Sequence, residues 1–360
     1  SAMTDVDTGA QQGIAITGST GSNILTGGAG ADTFDGKGGA DTINAGAGAD
    51  SVAYYGSETL LDAGAGSDIL VLRASGGISS VDFSVAAGVD QTLSDAVTAI
   101  NFENLDAGIL ATALTVTGSS AANVITTGSG NDTIDGLAGA DTINAGLGND
   151  IVAYYGTEAQ LDGGGGTNTL RLRTIATVDL SSGDQTLADA VQVSNFQNVD
   201  ASSLASGVTI TGSSGANTLT GSSANDVIDG NGGADILQGG AGSDSITYRG
   251  TEASIDGGIG TDTLILSAAG GITTVNLGVT PGSDQTTGDA VSVSNFENVN
   301  AAALSTGLTF LGSSGANIIT GTSGADTLDG NGGADVIAAG AGNDTVTYRG
   351  NEASIDGGAN

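Results

Sequence analysis

The chain has 360 residues, 64 of them glycine and one proline, and its 40 acidic side chains outnumber six basic ones to give a net charge of −34. Such a charge excludes nucleic acid as a partner, argues against an anionic membrane, and opposes compaction unless cations are fixed within the fold. Cysteine and histidine are both absent. That removes disulfides, thiolate sites, the commonest general base and the commonest transition-metal ligand, and leaves hard cations on oxygen ligands as the available metal chemistry.

The chain begins Ser1-Ala2-Met3, without a charged and apolar signal segment, and residues 1–15 read as a cloning remnant and lead-in. A nine-residue unit then repeats head to tail. Residues 27–35 read GGAGADTFD, 36–44 read GKGGADTIN and 45–53 read AGAGADSVA. The glycines sit where a chain turns tightly, the Asp where a cation needs oxygen, and the eighth position is apolar. That apolar position keeps phase: Leu25, Phe34, Ile43, Val52, Leu61 and Leu70 in the first block, and Ile125, Ile134, Ile143, Val152, Leu161 and Leu170 in the second. A disordered glycine-rich tail has no reason to hold such a phase. The pattern Gly-Gly-x-Gly-x-Asp-x-apolar-x resembles the RTX (repeats-in-toxin) calcium-binding nonapeptides of secreted bacterial proteins. The resemblance covers slightly under two-thirds of the chain. It implies an all-β fold, a parallel β-roll or β-solenoid with Ca2+ ions in its turns.

The nonapeptides nest in a longer period. Equivalent blocks open at Ile16-Thr17-Gly18-Ser19, Val116-Thr117-Gly118-Ser119, Ile210-Thr211-Gly212-Ser213 and Phe310-Leu311-Gly312-Ser313. The expected units are therefore 16–115, 116–209 and 210–309, with a truncated copy at 310–360. Each full unit holds six nonapeptides and a spacer. The spacers share an alternating stretch, then Asp-Gln-Thr-x-x-Asp-Ala-Val (from Asp90, Asp184 and Asp284), then Asn-Phe-(Glu/Gln)-Asn (from Asn101, Asn195 and Asn295). They read as irregular β rungs with a polar loop and one helical turn near Asp-Ala-Val, so one continuous solenoid is expected. The final Gly357-Gly358-Ala359-Asn360 stops inside a nonapeptide, as in a piece of a longer protein.

Two nonapeptides make one coil of a β-roll, so turns on one edge recur every eighteen residues. The expected cation ligands follow. Asp32, Asp50 and Asp68 share an edge in the first block, with Asn23, Asp41 and the displaced Glu58 opposite. The second block offers Asp132, Asp150 and then Asn168, with Asp141 opposite. The third offers Asp226, Asp244 and Asp262, with Asp235 opposite. The fourth offers Asp326 and Asp344, with Asp335 opposite. Calcium suits these sites better than magnesium, because it accepts 6–8 oxygens at ~2.3–2.6 Å in a flexible shell. The bland alternative for any one Asp is a turn residue capping its own backbone.

The fifth nonapeptide departs from the pattern, reading YYGSETLLD, YYGTEAQLD, YRGTEASID and YRGNEASID from Tyr54, Tyr154, Tyr248 and Tyr348. The favoured reading is a bulky side chain covering the core where the regular array ends. The competing one is an exposed Tyr/Arg ladder for a partner, with Glu58, Glu158, Glu252 and Glu352 completing an ion site. Ninth-position residues Asp35, Asp135, Asp229 and Asp329 are expected as solvated charge. No helix, Lys-Ser/Thr or EF-hand spacing follows the glycines, which argues against a nucleotide loop.

Carboxylates at regular intervals point to structural cation binding rather than to an enzyme. The expected role is a calcium-stiffened repeat region of a secreted or cell-surface bacterial protein, an adhesin stalk or S-layer segment exported by type I secretion. It would fold on calcium after export, without membrane insertion, and with self-association or cell-surface contacts as further partners. The runner-up is the non-catalytic C-terminal module of an exported enzyme. Third-position Thr20, Ala29, Gly38 and Ala47 lack the regular threonine face that ice binding uses.

Overall fold

The computed structural model describes residues 4–6, 13–187 and 189–359. The Ser1-Ala2-Met3 start lies outside the described residues. Strands of two to four residues alternate with glycine-rich turns, and no helix occurs among the described residues. In each nonapeptide the three residues after Asp form the strand. Its middle side chain points inward and its neighbours point outward, as in Thr33–Asp35 and Val227–Asp229. β-branched Thr, Ile and Val supply most of those outward positions, which favours extended backbone.

Strands pair in parallel with the strand eighteen residues away: Leu25 lies opposite Ile43, and Phe34 opposite Val52. Successive nonapeptides therefore alternate between two facing sheets, and the fold is an all-β parallel β-solenoid. Leu25, Ile43, Val52, Leu61, Leu70, Ile228, Leu237, Ile246 and Ile255 are fully buried between the sheets. Each nonapeptide contributes roughly one such side chain, stabilising by about 1.5–3 kcal/mol. The core is correspondingly thin.

The chain divides into two compact units, Ser1–Arg171 with Asp189–Phe196, and Leu172–Ala188 with Gln197–Asn360. In the first, a nine-stranded sheet runs through Ala15–Thr17, Thr33–Asp35, Ser51–Tyr54 and Ile69–Leu72. It continues through Asn104–Asp106 of the spacer into Val124–Thr126, Thr142–Asn144, Gln160–Asp162 and Gln192–Ser194. Its facing sheet of the first block closes on Thr98–Ile100, paired with Leu60–Asp62. A fresh sheet opens on Ser80–Asp82, which pairs with Thr115–Thr117 and carries Thr92–Leu93 antiparallel on its edge. The second unit repeats the plan. A ten-stranded sheet there runs from Thr186–Leu187 through Thr177–Asp179 and Thr263–Leu266, then through the spacer strand Asn298–Asn300, to Ser354–Asp356.

Side chains tie the spacers together. The Gln91 amide embraces Phe102, donating from Nε2 to its carbonyl and accepting its N–H on Oε1, both at 2.8 Å. Gln285 does the same for Phe296. Asp90 Oδ1 accepts the N–H of Thr92 and of Ala99, at 3.2 and 3.1 Å, and Asp284 repeats the arrangement. The helical turn expected at Asp-Ala-Val is absent from the first and third spacers. Residues 94–96 and 288–290 are bends, because the Asp there turns its carboxylate inward to a buried tyrosine.

Packing of one turn on the next leaves no room for side chains at selected glycines. Gly64 has φ +91°, and a Cβ there would collide with the Gly46 carbonyl oxygen. Gly64→Ala is expected to cost roughly 1–3 kcal/mol for the strained backbone and displaced turn. Gly38→Ala, with open space around it, should be near neutral. Thermal melts followed by circular dichroism compare the two; equal melting temperatures would show that the turns do not pack as described.

Candidate metal centre

The phased aspartates form ladders. Asp50 Oδ1 accepts the N–H of Asp32 and Asp68 Oδ1 that of Asp50, both at 2.7 Å. Asp132 and Asp150 continue the pattern in the second block, where Asn168 Oδ1 takes the Asp150 N–H at 2.9 Å. Asp226, Asp244 and Asp262 form the third ladder, and Asp326 and Asp344 the fourth. On the opposite edges Asp41, Asp141, Asp235 and Asp335 accept the N–H of Asn23, Asn123, Asn217 and Asn317. One carboxylate oxygen therefore fixes the backbone one coil away, which explains why the Asp repeats with the turn.

The other oxygen divides the set. Oδ2 of Asp41, Asp50, Asp68, Asp132, Asp141, Asp150, Asp235, Asp244, Asp262, Asp335 and Asp344 is buried and has no hydrogen-bond donor. Asp32, Asp226 and Asp326 instead turn Oδ2 onto the N–H of Gly28, Ser222 and Thr322; each is the first in its stack, as Asp132 also is. Sequence could not separate these three. A signal exists in hindsight at Ser222 and Thr322, whose hydroxyls also reach the carboxylates at 2.9 and 3.0 Å.

A buried anion without a partner is costly unless a cation completes it. Five of the orphan oxygens, those of Asp41, Asp141, Asp235, Asp244 and Asp335, lie over a first-position glycine: a Cβ on Gly36 would stand 2.5 Å from Asp41 Oδ2, and one on Gly239 2.5 Å from Asp244 Oδ2. The same Gly239 Cβ would meet the Gly257 carbonyl oxygen. Glycine thus keeps open a seat lined by carboxylate and carbonyl oxygens. No three carboxylates converge among the described residues. A cation would draw on one or two carboxylates and on turn carbonyls, a mixed oxygen set that suits calcium.

Burial raises the pKa of these carboxyls, and the N–H bonds offset it only in part. Asp68, Asp141, Asp150 and Asp244 are pushed up to about 6. Asp262, whose burial is reinforced by its neighbours Asp244 and Glu297, is pushed up to about 7. Asp41, Asp50, Asp132 and Asp235 are raised for the same reason.

Ninth-position aspartates are more than solvated charge. Arg249 grips Asp229 with Nε and Nη2 at 2.8 and 2.7 Å, and Arg349 grips Asp329 in the same bidentate way. Lys37 pairs with Asp35 at 2.9 Å. Asp35, Asp135, Asp229 and Asp329 also cap the N–H of Lys37, Leu137, Asn231 and Asn331, all with positive φ. Burial raises the Asp229 pKa, but the Arg249 hydrogen bonds outweigh it and the net shift is downward.

The first tyrosine of each fifth nonapeptide covers the core. Tyr54, Tyr154 and Tyr248 are buried and donate from Oη to Asp95, Asp189 and Asp289 of the following spacer. Tyr348 is 74% exposed. Glu58 braces its own turn. Its two oxygens accept the N–H of Tyr55, Gly56 and Ser57, holding the turn that lacks an Asp. Glu252 and Glu352 do likewise, and Glu158 caps Tyr155 and Thr157.

The profile of the RTX calcium-binding nonapeptide repeat matches the chain four times, over residues 17–52, 117–152, 211–246 and 311–346. Comparison with curated proteins finds no match. Each matched segment holds the alternating turns whose aspartates form the ladders, ending just beyond Asp50, Asp150, Asp244 and Asp344. The four matched segments belong to the RTX calcium-binding nonapeptide repeat family.

Proposed function

We propose that this region is a calcium-stiffened structural segment of a secreted or cell-surface bacterial protein, of the adhesin-stalk or S-layer kind, and that it folds on calcium after export. The observation that carries the reading is the row of buried Oδ2 atoms without donors, repeated from block to block. Asp32, Asp226 and Asp326 serve chiefly as turn caps, and the other eleven phased aspartates as calcium ligands. Spacers that continue the sheets of the blocks favour a load-carrying segment over a single array appended to an exported enzyme. The regular spacing favours ions over a reacting centre as the partners of these carboxylates.

Mechanical resistance tests this role. Pulled from its ends, the chain is expected to unfold at high force in millimolar calcium and to stretch as a featureless coil after chelation. Weak resistance in both media would sink the stalk reading and leave the enzyme-module alternative.

A further inference from the structure

The second block contains a chemical stand-in for a bound ion. Asn168 accepts the Asp150 N–H on Oδ1, as an aspartate would, and its Nδ2 donates to the carbonyls of Gly163 and Asn195 at 2.6 and 3.1 Å. That seat, between the last turn of the block and the spacer, is therefore filled by a hydrogen-bond donor. In the first repeat the equivalent residues are Asp68, Ala63 and Asn101; in the third they are Asp262, Gly257 and Asn295. An oxygen now stands where Asn168 has an N–H. Asp68 Oδ2 and Asp262 Oδ2 are buried without a donor, and both residues are wholly inaccessible. A Cβ on Gly257 would strike the Asn295 carbonyl and come within 2.9 Å of Asp262 Cβ, which places carbonyl and aspartate on one glycine.

A second carboxylate joins each seat from the spacer. Glu103 Oε2 accepts the Asp68 N–H at 2.8 Å, and Glu297 Oε2 the Asp262 N–H at 2.8 Å. Each glutamate takes the place on the ladder that the next phased aspartate would hold. Both border equivalent cavities, of about 350 Å³ beside Gly64, Gly66 and Gln91 and about 310 Å³ beside Gly258 and Gln285. The second spacer has Gln197 at the matching sequence position, so the block with neutral Asn168 has a neutral spacer residue too. Charge is present or absent at both positions together.

We propose that the junctions of the first and third repeats each hold a calcium ion between the block aspartate and the spacer glutamate, Asp68 with Glu103 and Asp262 with Glu297. The carbonyls of Ala63 and Asn101, or of Gly257 and Asn295, complete the seat. This rests on the calcium reading above, and it makes Glu103 and Glu297 ligands outside the nonapeptide motif. The ion would bind the block to its spacer in two repeats, whereas the Asn168 amide does so in the other.

Native mass spectrometry and calorimetric titration with calcium alone, at alkaline pH where a carboxyl proton cannot replace the ion, count the ions per chain. The E103Q/E297Q double variant is expected to bind two fewer than the parent, and the N168D/Q197E double variant, which installs both carboxylates in the second repeat, one more. An unchanged count in E103Q/E297Q overturns the junction sites while leaving the block sites intact. If E103Q/E297Q does not fold, N168D/Q197E decides: a gained ion supports the seat and an unchanged count overturns it. A parent chain that binds no calcium overturns both this proposal and the reading beneath it.

Discussion

Removing calcium from the folded chain is expected to abolish its β signal in far-ultraviolet circular dichroism, calcium should restore it, and magnesium should not. Among the described residues, eleven buried Oδ2 atoms of the phased aspartates have no donor, and a chain of net charge −34 gains no other neutralisation of comparable extent from six basic residues. An ion present at a hundred times its dissociation constant stabilises the folded state by ~2.7 kcal/mol per site. A handful of such sites outweighs the ~5–15 kcal/mol that separates a typical domain from its unfolded state. Magnesium holds its waters and demands a small octahedron, which mixed carbonyl seats do not offer. The variant Asp244→Asn sharpens the test, because Asn168 shows that an amide is accommodated at such a position. In calcium it should lose up to ~2.7 kcal/mol at the same saturation, and without metal it should be more stable than the parent. A shift of the same sign in both media would mean that Asp244 is only a turn residue.

Acid is expected to do part of calcium's work. The carboxyls of Asp68, Asp141, Asp150 and Asp244 titrate near 6 in the folded chain and that of Asp262 near 7, against about 3.9 unfolded. Raised folded values mean that the folded state binds more protons between those limits. Its stability is therefore greatest below about pH 4 and falls as pH rises toward 7. Metal-free protein should recover β structure on acidification to about pH 5, and melt at progressively lower temperature as pH rises through 7. Aspartates 229 and 329, lowered by their arginines, act in the opposite sense and only at the acid end. Calcium and protons then compete for the same oxygens, so binding near pH 6 should release protons and binding at alkaline pH few. Metal-free melting temperatures that stay level or climb between about pH 5 and pH 8 would show that these carboxyls are not buried as described.

The regular blocks were legible because a single apolar residue and a single Asp recur at fixed spacing. Leu25, Ile43 and Leu61 could be placed in one row, and Asp32, Asp50 and Asp68 on one edge, by counting alone. The spacers resisted because their order comes from contacts distant in sequence. Gln91 holds Phe102, Asn101 reaches back to Asp62 at 2.8 Å, and Tyr54 finds Asp95. None of these pairings has a periodic signature. Glu58 was ambiguous for a related reason: a carboxylate near a metal position looks like a ligand, yet it lies within reach of three N–H groups of its own turn. Nor does the sequence tell Asp32, which bonds the Gly28 N–H, from Asp50, which bonds nothing through Oδ2.

The spacers also constrain how such a chain can lengthen. Because strands pair at eighteen-residue steps, slippage during replication by one nonapeptide would send every later strand to the opposite sheet and every later Asp to the opposite edge. Slippage by two would leave the pairing intact. The spacer performs the odd step in a controlled way. The sheet carrying Phe34, Val52 and Leu70, from the even nonapeptides, passes through Leu105 and goes on with Ile125, Ile143 and Leu161, from the odd ones. Whole units can therefore be gained or lost by recombination at any boundary without a register fault. The six-residue difference between the 94- and 100-residue repeats is tolerated because it falls in two loops, three residues between Thr169–Leu172 and Thr177–Asp179 and three between Thr177–Asp179 and the antiparallel edge strand Thr186–Leu187.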